Sequence, residues 1–81
     1  MDKLERNDWV LISSPTGRTP KPKVGVVWSA NYDGHPVVYV NVMKRDGQIS
    51  GHLTGYHPSF ILESAKTATL LMHKMLRYIE L

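Results

Sequence analysis

Asp-Gly occurs twice in this chain, at Asp33-Gly34 and Asp46-Gly47, and the two steps bracket the run His35-Pro-Val-Val-Tyr-Val-Asn-Val-Met43. A tight type I′ turn needs positive φ at both central residues, and Asp-Gly adopts that geometry at low cost. Alternating apolar residues on either side of such a step are strand material. Two turns in series therefore predict a three-stranded antiparallel meander, which accounts for most of a chain this short. Its strands are expected at Lys23–Ala30, at about 37–44 and at about 48–54.

The flanking segments add two strands and a helix. Trp9-Val-Leu-Ile-Ser13 is rich in strand formers and follows Asn7-Asp8, a turn signal. Ser14 to Pro22 holds three prolines and a glycine, which excludes helix and central strand and predicts an exposed loop. Gly55 to Ser59 breaks the fourth strand, and Phe60-Ile-Leu62 reads as a short fifth. From Ser64 the period changes. Ala65, Ala68, Leu71, Met72, Met75, Leu76 and Ile79 recur at i, i+3, i+4 spacing, the stripe of an amphipathic helix over about 65–80 with Ser64 as N-cap.

If both turns have two residues, Val27 faces Val40 and Val40 faces Leu53, while Trp28 faces Tyr39 and Tyr39 faces Thr54. Side chains alternate across a sheet. One face then carries Val27, Val38, Val40, Val42, Ile49 and Leu53 and is expected to line the interior. The other carries Val24, Val26, Trp28, Ala30, Tyr39, Asn41 and Met43. It is too apolar to stay fully wet, so the helix or a second subunit should cover part of it.

Eighty-one residues make one domain, spanning 1–81, with a modest core. The absence of cysteine excludes a disulfide framework and thiolate chemistry. No run approaches the ~20 apolar residues that cross a bilayer, and the charged N-terminal residues do not resemble a signal peptide. A cytoplasmic protein without membrane contact is expected. Ten Lys and Arg against seven Asp and Glu give a formal charge of +3, a mild bias toward nucleic acid or an acidic protein surface.

A short first strand, a long Pro/Gly-rich loop, a meander with tight turns and the turn Tyr56-His-Pro-Ser59 before a last strand together resemble the SH3-like small β-barrel group over about 9–62. The resemblance implies a mainly β (β+α) fold: a five-stranded antiparallel SH3-like barrel with one C-terminal amphipathic helix. It also implies a range of roles, from transcription, translation and chromatin binding to adaptors and a few tetrameric reductases. Fold alone does not choose among them.

Arg18, Lys21 and Lys23 lie in or beside the proline loop, with no acid between Asp8 and Asp33. With Lys44 and Arg45 on the second hairpin they could meet phosphates, and Tyr32 beside the first turn is expected to be exposed. The bland alternative is a solvated loop and a charged turn. Trp28 and Tyr39 could stack bases or anchor a protein, but are expected to pack beneath the helix instead. His35, His52, His57 and His73 show no ligand spacing, and no nucleophile or phosphate-loop motif occurs. No metal, cofactor or catalytic residue is expected. Leu70, amid Lys66, His73, Lys74 and Arg77, offers a candidate partner-binding helix face.

Three functions follow as expectations. The first is a non-catalytic module contacting nucleic acid or a nucleoprotein machine. The second is a stand-alone inhibitor of a host enzyme or defence system, of the kind phages and mobile elements encode. The third is a small enzyme whose site forms by oligomerisation. Self-association is expected through the uncovered sheet face or the helix.

Overall fold

The computed structural model describes residues 3–13, 22–44 and 46–79. Five strands, β1 (Trp9–Ile12), β2 (Lys23–Asn31), β3 (Val37–Met43), β4 (Ile49–Tyr56) and β5 (Ile61–Ala65), form one antiparallel sheet in the order β4-β3-β2-β1-β5. A 3₁₀ turn (Pro58–Phe60) links β4 to β5, and helix α1 (Ala68–Ile79) follows. The mainly β architecture with one C-terminal helix is as the sequence predicts. The sheet is not closed into a barrel, because no described pairing joins β4 to β5.

It is nevertheless strongly curled. Leu4, Val10, Ile12, Val27, Val38, Val40 and Ile61 are buried in one cluster, against which Ala30, Val42 and Tyr56 pack. Tyr56 and Ile61 belong to the two edge strands. In a flat sheet those edges would stand about 19 Å apart, four steps of ~4.8 Å, so the sheet must bend around the cluster. This shape is compatible with a small β-barrel-like fold.

Bulges and longer loops correct the expected register. Asn31 pairs with Val37, so the first hairpin loop is longer than two residues; Gly34 takes φ 65° and the Asp33 amide donates to Asn31 Oδ1 at 3.0 Å. The extra loop residue is cancelled by a bulge at Trp28. Val27 faces Val40 as predicted, but Tyr39 faces Ser29 rather than Trp28. Beyond the bulge the alternation flips, which turns Ala30 inward against the core.

The second hairpin slips as well. Lys44 N donates to Gln48 O at 2.7 Å and Gly47 N to Lys44 O at 3.0 Å, with Gly47 at φ 87°. A second irregularity in β4, where Gly51 takes φ 80°, restores pairing two residues out of step. Val40 thus faces Thr54 and Tyr39 faces Gly55, one residue from the expected partners. Ile49 and Leu53, expected inside, lie opposite Met43 and Asn41 and are exposed.

Strand β5 continues to Ala65, which displaces the helix start. Ser64 pairs with Val10, and Thr67 caps α1 instead: its Oγ1 accepts from Leu70 N at 3.2 Å. The helix lies on the outer face, where Leu11 and Leu71 are fully buried. Trp9, Val24, Met43, Ala68, Leu71, Met72 and Met75 enclose a wholly apolar cavity of about 180 Å³ there. The buried stripe is narrower than expected, since Met72 and Leu76 remain exposed.

Candidate binding surfaces

The helix covers only one end of the outer face. At the other end Trp28 and Tyr39 are bare, 45% and 42% exposed, contrary to the expectation that α1 shields them. Their orientation follows from their neighbours. Val27, Val38 and Val40 are all buried inward, so the adjacent residues must point out. The bulge sets Trp28 next to the pair Ser29–Tyr39, so both aromatic side chains stand on the same end of the outer face. Gly55 lies opposite Tyr39, and a Cβ there would stand 3.1 Å from Val37 Cγ2 and in ordinary contact with the Tyr39 ring. Leu53, opposite Asn41 and 47% exposed, borders the same patch.

One cation belongs to this patch. The Arg6 guanidinium stacks over the Trp28 ring at 3.8 Å from its centroid. Arg6 is held there by the N-terminal segment, which is tied to β2 through Asn7 N to Val27 O at 2.8 Å and Val27 N to Asp8 O at 2.9 Å. Asn7 occupies the left-handed region at φ 76°, a conformation asparagine tolerates better than most residues. The turn signal read from Asn7-Asp8 is therefore a real turn, placed one strand edge from Trp28.

Asp8 locks that turn and is the one polar side chain buried among the described residues. Its Oδ2 accepts from Glu5 N at 2.9 Å and its Oδ1 from Lys66 Nζ at 2.9 Å. Burial alone would raise the carboxyl, but the Lys66 and Glu5 donors outweigh it and hold Asp8 below its ordinary 3.8. Lys66 is held above its ordinary 10.5 mainly by the same hydrogen bond. A single carboxylate thus fastens the start of the chain to the β5–α1 junction. It stands in an open cleft of about 680 Å³ whose other charged walls include Lys3, Glu5 and Lys74. Lys66 bridges both acids there, Asp8 at 2.9 Å and Glu5 at 3.9 Å, while Lys74 donates to the Ser64 carbonyl at 2.7 Å.

Of the six residues singled out from the sequence, Arg18, Lys21 and Arg45 lie outside the described residues. Lys23 and Lys44 are exposed; Lys23 pairs with Ile12 and Lys44 follows Met43, which places both at the helix-bearing end of the sheet, away from Trp28 and Tyr39. Tyr32 is half-buried, and its hydroxyl accepts from Leu4 N at 2.9 Å, so it anchors the N-terminal segment. His57 caps the 3₁₀ turn, its Nδ1 accepting from Ser59 N at 3.1 Å. Among the described residues no three His, Asp or Glu side chains gather as a metal site would require. No described helix is long and apolar enough to cross a membrane.

Sequence reasoning missed Arg6 and Asp8. Both lie in a charged leader that carries no periodicity, and only the Asn7-Asp8 step hinted that it returns to the sheet. Comparison with known proteins finds no family, no curated protein and no solved structure that matches the chain.

Proposed function

We propose that this protein is a non-catalytic binding module that takes single-stranded nucleic acid on the uncovered part of its outer sheet face. The observation that carries this reading is the exposed pair Trp28 and Tyr39 with Arg6 stacked on the indole. Aromatic faces on an open sheet stack bases irrespective of sequence, at about 1–3 kcal/mol per base, and an arginine plane extends the platform. The cation beside the pair is Arg6, while Lys23 and Lys44 stand at the opposite, helix-bearing end of the sheet and add only to the general positive field, with Arg18, Lys21 and Arg45 adjoining them in sequence. The net charge of +3 favours the same ligand over a basic partner.

The test is a titration of the intrinsic tryptophan fluorescence with short single-stranded DNA and RNA at several salt concentrations. Binding should quench the emission and weaken linearly with log salt, by about 0.7 per phosphate neutralised. Trp28→Ala should cost about 1–3 kcal/mol of affinity, a loss of roughly five- to 150-fold. Charge reversal at Arg6 should flatten the salt slope more than charge reversal at Lys23 or Lys44, which stand at the other end of the sheet. Absence of binding in dilute buffer, or affinity indifferent to Trp28 and Tyr39, would remove the reading.

A second reading is a protein-docking factor of the inhibitor type. It draws on the exposed apolar side chains Met72 and Leu76 of α1, 62% and 61% exposed. Here a stoichiometric complex would form with a protein partner, unaffected by nuclease and lost on Leu76→Asp.

A further inference from the structure

We propose that the outer edge of β4 pairs antiparallel with β4 of a second copy of this chain, joining two sheets into one. This inference stands independently of the nucleic-acid reading. It starts from a difference between the two edges. The last strand, β5, runs directly into α1, and Lys74 of that helix donates to the Ser64 carbonyl at 2.7 Å. A lysine and a covering helix are the usual protections of an exposed edge. Strand β4 has neither. Its eight residues, Ile49 to Tyr56, include no Lys, Arg, Asp, Glu or Pro, and no described strand lies beyond it.

One protection is present, but it reaches only half of the strand. The irregularity at Gly51, where Ser50 Oγ donates to His52 O at 3.3 Å, distorts the first half of β4. From Leu53 to Tyr56 the ladder with β3 is regular, Leu53–Asn41 through Tyr56–Val38. Among the described residues no strand pairs with the outer edge of that stretch, which offers its outward backbone donors and acceptors to a partner.

The occupant follows from symmetry and charge. An antiparallel strand edge is self-complementary, so a two-fold axis needs only this one patch. Strand β4 carries no Asp, Glu, Lys or Arg, so two copies can meet there without like-charge contact. An axis at Thr54 sets Leu53 opposite Gly55 of the copy and makes the two Leu53 side chains diagonal neighbours on the outer face, which removes apolar surface that is now wet. A polar foreign strand would gain the ladder but not this contact.

The experiment is light scattering on nuclease-treated protein over a concentration series, with hydrogen exchange on the same samples. The mass should climb from 9.2 kDa toward twice that value, and amides within 53–56 should gain protection as it does. Leu53→Lys, a change at an exposed position, should return the mass to the single chain, whereas Met72→Lys should leave the dimer intact. A single-chain mass up to the solubility limit would overturn the proposal. So would a dimer that survives Leu53→Lys, or one that dissolves with Met72→Lys. Should Leu53→Lys lose its circular dichroism, the exchange pattern of the unmodified chain decides: protection growing on α1 rather than β4 contradicts the pairing.

Discussion

Strands β1 and β4 belong to one sheet but live in opposite environments. In β1, Val10 and Ile12 enter the main cluster while Leu11 is buried beneath α1, so both faces are dry. In β4 no residue is fully buried, and Tyr56 alone packs against the cluster. A small chain cannot bury much surface, and this one concentrates its burial where β1, β5 and α1 meet. Beyond Val24 and Met43, which α1 reaches, the half built on β2, β3 and β4 is covered on its concave side only. The outer side keeps Trp28, Tyr39 and Leu53 in water. Burial is thus concentrated at one end of the sheet, and exposed aromatic and apolar side chains at the other.

Substitutions should sort by this division. The largest loss is expected for Leu11→Ala, about 2–5 kcal/mol in chemical denaturation, because the side chain is enclosed by sheet and helix. Gly25→Ala should cost about 1–3 kcal/mol by overpacking. A Cβ there would strike Val40 Cγ1 and stand 2.9 Å from the Asn41 carbonyl, so the strands would have to part.

Asp8→Asn should cost about 1–3 kcal/mol, since it weakens two hydrogen bonds of a buried carboxylate. The pH dependence identifies the cause. The Asp8 carboxyl is held below its unfolded value near 3.8, so its contribution is complete above that value and is lost as pH falls through the lower folded one. Thermal melts of the unmodified chain should therefore drop more steeply below about pH 4 than those of Asp8→Asn.

The smallest effect is expected at Leu53→Ser, within about 0.5 kcal/mol for the monomer, because the side chain is half in water. A loss of several kcal/mol there would erase the contrast between the two ends.

Much of this arrangement was legible in the sequence. Period-two and period-3.6 patterns located all five strands and the helix, and the Asp-Gly steps located both hairpins. Local signals could not count loop residues. One extra residue before Val37 and a bulge at Trp28 offset each other, so Val27–Val40 was read correctly while Trp28–Tyr39 was not. In β4 the errors did not cancel, and Leu53 and Ile49 were assigned inward. The helix start was misplaced because β5 captures Ser64 and Ala65 through pairing with Val10 and Trp9, a tertiary demand that overrides the local cap signal. The exposure of Trp28 depends on where a short helix lands, which periodicity does not encode.

The most direct measurement is an NMR titration of the isotope-labelled chain with a short single-stranded oligonucleotide in dilute salt. Shift changes should gather on the Trp28 indole, the Tyr39 ring and the Arg6 guanidinium, while Leu11 and Leu71, at the helix-bearing end, stay still. Changes confined to α1, or none at all, would contradict the assignment of binding to the uncovered end of the sheet.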